Sequence, residues 1–205
     1  MDRSRKHAQR IAVIGIFTGI ILLQTFVPLF GYLTIIPGMP GISLIIMVVM
    51  VAAATLGPTE GAILGLIWGV VSLIHAYTAP GTVTFLLFTN PIIAIVPRVI
   101  VGWLAGVLPE VFGRTRLPQT LGLGITGLIG AAANTLLVVS LTALIFLNHS
   151  GNLLSILNMK GNSNNLFVVL MIALGVNGIS EAIGGFIIVP LIARSLKHVW
   201  DRRRS

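Results

Sequence analysis

The side chains able to do chemistry in this chain are few, and they stand in apolar surroundings. Arg98 lies in NPIIAIVPRVIVG, with Asn90-Pro91 upstream and Pro97 directly before it. Glu181 lies in GVNGISEAIGG, four residues after Asn177, which puts the two on one helix face. Asn134 stands in GAAANTLLVVS, and Gln24, Ser72 and His75 add further polar positions. A guanidinium is a planar fork of donors suited to a carboxylate, and amides beside it can complete a polar pocket. Such a set can recognise an anion. It does not suit catalysis, because no nucleophile–base constellation, H-E-x-x-H or P-loop occurs. No catalytic residue is assigned, and the chain carries no ATPase motif of its own. No metal site is expected: four His and five acidic residues are scattered along the chain. Cysteine is absent, which excludes disulfides and thiol nucleophiles.

The same residues admit a purely structural reading. Arg98 and Glu181 would pair, with Asn134 and Asn177 completing a buried network that holds helices together. His75 and Tyr77, near the end of an apolar run, fit the role of interfacial anchors as well as that of ligands.

The elements that carry these residues follow from composition. Of 205 residues, 56% are hydrophobic and only 9% are charged, and the mean hydropathy is +1.02. A soluble domain carries about 25% charged residues, so this inventory cannot build a water-facing surface. It excludes a cytosolic enzyme, a secreted domain and a disordered chain, and leaves an integral membrane protein. Six apolar runs are candidate spans: 11–30, 42–56, 61–76, 85–108, 121–147 and 166–193. The second and third are short and are separated by Gly57-Pro58-Thr59-Glu60, a charged turn signal. No period-2 alternation suggests a barrel, so the expected fold is an all-α bundle of six transmembrane helices, a single membrane domain over 1–205.

Charge places the ends. Six spans put both termini on one side, with Arg3, Arg5, Lys6, Arg10, Arg114, Arg116, Arg194, Lys197 and Arg202–Arg204, while the other side receives Lys160. That is the positive-inside pattern with cytoplasmic termini in the cell membrane. Topology and anionic lipid account for the net charge of +8, and nucleic acid is not an expected partner. The first apolar run is too long for a signal-peptide core and no A-x-A-like site follows it, so it reads as a retained helix. Arg98 lies about 12 residues, or roughly 18 Å, from the cytoplasmic end of its span. At that depth a charge costs about 2.5–3.5 kcal/mol on insertion scales. The prolines around it remove backbone donors and free carbonyls, so this span is expected to be kinked or broken.

Small residues mark helix faces. Ala12, Gly15 and Gly19 share one face of the first span, Gly61, Gly65 and Gly69 stack in the third, and Gly102 and Gly106 lie in the fourth. Such faces let helix backbones approach where lipid gives no hydrophobic drive for association. In spans three and four the expected use is internal packing, whereas the face of span one also suits another subunit. Three outer segments, 31–41, 77–84 and 148–165, are longer than the cytoplasmic turns, and the first suits a loop folded over the bundle mouth.

Taken in order, the Gly15-x-x-x-Gly19 face, PGMPGIS, LGPTEGAILGLIWGVVSL and NPIIAIVPRVIVGWLAG resemble the substrate-binding S components of energy-coupling factor (ECF) vitamin transporters. AAANT and GISEA add weaker support. The resemblance covers nearly the whole chain, and departs from the family in having glycine where alanine is frequent on the first helix face. It implies a binding subunit, not an enzyme, that captures a vitamin outside and topples in the membrane to deliver it. It implies docking through Ala12, Gly15 and Gly19 onto a transmembrane coupling subunit, which carries two ABC-type ATPases. ATP is used by those partners, and no cofactor is expected here. The expected substrate-binding set is Arg98, Asn90, Asn134, Asn177 and Glu181, with Tyr32 of the 31–41 loop and His75. Aromatic residues are only 7%, which disfavours a stacking platform for a flat ring vitamin. A flexible anionic solute fits better, and the branch most resembled includes pantothenate carriers. A pyridoxine- or hydroxymethylpyrimidine-type compound and folate are the alternatives within the family. A self-sufficient secondary transporter is the alternative outside it, although no inverted repeat is evident.

Overall fold

The computed structural model describes residues 3–27, 31–33, 42–78, 83–146 and 166–202. Among them are α1 (Arg3–Phe26), β1 (Tyr32–Leu33), β2 (Ile42–Ser43), α2 (Ile45–Leu56), α3 (Pro58–Ala76), α4 (Val83–Phe88), α5 (Pro91–Gly113), α6 (Gln119–Phe146) and α7 (Leu166–Arg202). The expected all-helical bundle is present. Its only sheet among the described residues is a two-residue antiparallel pair, with Tyr32 opposite Ser43 and Leu33 opposite Ile42.

Five helices are long and apolar enough to cross a membrane: α1 from Ala8, then α3, α5, α6 and α7 from Leu170 to Val199. The sixth, α2, differs from the expected second span. That segment starts as strand β2 and becomes helical at Ile45, leaving 12 helical residues, or about 18 Å. Ten of the 12 are buried, from Ile45 to Leu56. A helix that is apolar all round belongs inside a bundle, and α2 is packed by α1, α3, α5, α6 and α7.

The expected fourth span is two helices. Pro91 cannot donate its nitrogen to a preceding carbonyl and disfavours helical geometry at Asn90. The chain therefore leaves α4 at Phe88 and restarts as α5, with Asn90 extended at φ −82°, ψ 118°. The Asn90 side chain accepts the Ile92 N–H at 3.0 Å and caps α5. The segments 34–41, 79–82 and 148–165, in which most of the outer-loop expectations fall, lie outside the described residues.

Two helix pairs form the walls, α3 along α5 and α6 along α7. Glycine sets the spacing of the first. A Cβ on Gly61 would meet the carbonyl of Gly102, one on Gly65 would meet the carbonyl of Arg98, and one on Gly69 would lie 2.8 Å from Ile95 Cα. The helices thus touch backbone to backbone, as the small-residue spacing predicts. At the α2–α3 turn Gly57 has φ +118°, a conformation that side chains resist. Glu60 in the next turn bonds Arg10 Nη1 on α1 at 2.8 Å, and a carboxylate there also complements the helix N-terminus.

Gly65→Ala should destabilise the detergent-solubilised protein by about 1–3 kcal/mol, the usual cost of overpacking. Gly15→Ala should be neutral, because nothing lies within 4 Å of a Cβ there. Thermal melting midpoints of the two variants and the parent check this.

Candidate functional site

The site begins with a helical defect. In a regular helix the N–H of residue 97 would bond the carbonyl of residue 93. Pro97 has no N–H, so the Ile93 carbonyl loses its helical donor. Arg98 turns its side chain back along α5 and donates from Nη1 to that carbonyl at 2.8 Å. The guanidinium carbon lies 4.3 Å from the Phe88 ring centroid and 5.2 Å from that of Trp68. Aromatic faces attract a cation within about 6 Å, more strongly when it is desolvated. Arg98 is 5% exposed. Its charge is thus held by α4 (Phe88), α3 (Trp68) and the backbone of its own helix. Glu181 on α7 also acts on it electrostatically.

Arg98 opens onto a cavity of about 80 Å³ between α3, α4, α5, α6, α7 and β2. Trp68, Ser72 and His75 line it from α3, Asn134, Thr135 and Val138 from α6, and Leu174, Asn177, Gly178 and Glu181 from α7. Ser43, Leu87 and Phe88 complete the wall. The volume holds several water molecules. Glu181 is 6% exposed and accepts the Ser43 backbone N–H at 2.8 Å. This bond joins the β1–β2 ladder to α7. Asn134 donates a side-chain hydrogen bond to Glu181.

Of the substrate-binding residues expected from sequence, Arg98, Asn134, Asn177, Glu181 and His75 therefore meet at one cavity. Asn90 does not line it; its side chain caps α5. Tyr32 is placed by its backbone in β1, opposite Ser43. His75 stacks edge-on against Phe26 of α1, with centroids 5.8 Å apart, and approaches Thr78 Oγ1 at 3.4 Å. Tyr77 is exposed, and its hydroxyl donates to the Thr89 carbonyl at 3.4 Å.

Sequence reasoning missed Trp68, Phe88 and Ser43. The expectation of a pocket poor in aromatics is corrected: two rings line it, and the guanidinium lies over both. One signal was available. Trp68, Ser72 and His75 fall at i, i+4 and i+7, so one α3 face carries all three. Ser43 contributes through its main chain, which no residue type announces.

The face of α1 is different. Ala12, Gly15 and Gly19 are exposed, and a Cβ on either glycine would meet nothing within 4 Å.

Comparison with known proteins gives this geometry a context. The chain is 33% identical to the pantothenate transporter PanT of Leuconostoc mesenteroides over 205 residues, covering 97% of each chain. It is 31% identical over 157 residues to the pantothenic acid transporter PanT of Lactococcus lactis subsp. cremoris, covering 69% of this chain and 76% of that one. The family described as ECF transporter, substrate-specific component, matches residues 9–193. With a cavity among membrane-crossing helices and a family match over nearly its whole length, the chain belongs to the substrate-specific components of ECF transporters.

Proposed function

We propose that this protein captures pantothenate on the outer side of the cell membrane and passes it inward as the binding subunit of an ECF importer. The observation that carries the substrate assignment is Arg98, a buried guanidinium facing a cavity within a mostly apolar bundle. A charge at membrane depth persists where it serves a solute or a partner. Here its fork is turned along α5 by Ile93, and its guanidinium carbon lies over the rings of Phe88 and Trp68. It is thereby oriented to meet the carboxylate of an incoming acid. The names of the two PanT relatives support the same solute.

In this reading Arg98 anchors the carboxylate, Asn177 and Thr135 contribute polar contacts, and Leu87, Val138 and Leu174 receive the aliphatic part. Both termini are cytoplasmic, as the distribution of basic residues indicates. The chain does no chemistry. Its power comes from a transmembrane coupling subunit and two ABC-type ATPases that hydrolyse ATP. Ala12, Gly15 and Gly19 give that subunit a face without protruding side chains, suited to close helix approach.

Two experiments test this. Arg98→Ala should weaken pantothenate binding to the purified protein more than tenfold by calorimetry, and Arg98→Lys should weaken it less. Unchanged affinity in Arg98→Ala would remove Arg98 from the site. Gly15→Leu combined with Gly19→Leu should leave solute binding intact and abolish uptake in cells that carry the coupling module. Persistent uptake would place docking elsewhere.

A further inference from the structure

The cavity has a second polar wall whose chemistry is the reverse of that around Arg98. Glu181 offers a carboxylate that accepts from the Ser43 N–H and from the Asn134 amide and lies within electrostatic reach of Arg98. Next to it Asn134 is 7% exposed, and its Oδ1 has no hydrogen-bond donor. The Ser43 and Ser72 hydroxyls are also buried and without a partner. All four residues line the same cavity. Buried polar atoms in folded proteins nearly always find partners, and an unmet one is costly. Carboxylate and amide oxygens can only accept, so the group they await is a donor. A negative charge placed there would face the Glu181 carboxylate in a medium that screens poorly.

We infer that Glu181, with Asn134 and Ser43, is the specificity-determining wall of the site: it reads uncharged hydroxyl or amide donors on the solute and rejects a phosphate ester at that position. This rests on the reading that Arg98 takes the solute's carboxylate. The two walls then require a bipolar solute, with an acid at one part and hydrogen-bond donors at another. Pantothenate has that layout, with a carboxylate, an amide N–H and two hydroxyls. The wall makes the transporter selective for the free vitamin over its phosphorylated form. It does so without a second cation, since phosphate would be repelled rather than merely unbound. Ser43 lies opposite Tyr32 in the β1–β2 ladder, so the carboxylate that reads the solute also holds the segment leading into α2.

The test compares three acids on the purified full chain by calorimetry: pantothenate, the same acid with both hydroxyls replaced by hydrogen, and the same acid phosphorylated on its primary hydroxyl. A site built around hydroxyl donors rejects analogues lacking them strongly, so the dideoxy acid should bind about 100-fold more weakly or worse. The phosphate ester should be disfavoured by at least a similar factor. Glu181→Gln keeps an acceptor for Ser43 and removes the charge. It should reduce discrimination against the phosphate ester at least tenfold, relative to pantothenate in the same variant. An unchanged ratio in Glu181→Gln, or a dideoxy acid bound by the parent within tenfold of pantothenate, overturns the inference and leaves the pantothenate assignment standing. Binding of none of the three acids to the parent removes both. Should Glu181→Gln fail to fold, the dideoxy comparison on the parent decides alone.

Discussion

Gly65 rests on the carbonyl of Arg98, and that contact between two backbones determines what the cavity can be. With α3 and α5 at this distance, Trp68, three residues further along α3, reaches the guanidinium at 5.2 Å. Any side chain at Gly65 would push the helices apart and draw the ring away from the cation. The balance around Arg98 can be judged by size. Placing a cation near mid-membrane costs about 2.5–3.5 kcal/mol. Two desolvated aromatic faces contribute up to about 2 kcal/mol each, and a hydrogen bond from a charged donor about 1.5–3 kcal/mol. These terms are of the same order as the cost, and the Glu181 carboxylate on the same cavity adds a favourable electrostatic interaction.

Glycines at one spacing do two different things in this molecule. On α3 and α5 they are sealed against a neighbouring backbone, whereas on α1 they face open space. The α1 segment is also the least enclosed of the five long apolar helices, with 11% of its most apolar stretch buried against 50% for α3. It is attached to the bundle through α2 and α3, and through the Arg10–Glu60 pair at one end. A helix held along one side leaves the other for lipid or a partner.

Much of this could be read from residue order. The apolar runs gave α1, α3, α6 and α7 to within a few residues, apart from the charged extensions at α1 and α7, because a long apolar stretch has few alternatives. Asn90-Pro91 announced the break in the fourth span, because the missing donor and the restricted preceding residue act locally. The polar residues that stand out in apolar context converged: Arg98, Asn134, Asn177, Glu181 and His75 share a cavity. Asn90 lies apart from that cavity, because an amide before proline serves a helix cap as readily as a ligand, and its side chain bonds Ile92 at 3.0 Å. The central place of α2 was hidden because a segment that is apolar on every side has no face to orient it. Trp68 and Phe88 were hidden because their role depends on a cation from a third helix, and no periodicity within one helix encodes that.

Pro97 and Arg98 form a linked pair whose meaning exceeds either residue. The imino acid opens a gap in the hydrogen-bond ladder of α5, and the adjacent guanidinium fills it at the Ile93 oxygen. Restoring an ordinary amide at position 97 would give that oxygen a competing donor and loosen the arginine from its tether. Removing the arginine would strand the oxygen in hydrocarbon. Neither position can drift alone, so descendants of this chain should inherit or abandon the two together, as a single trait spelled by neighbouring codons.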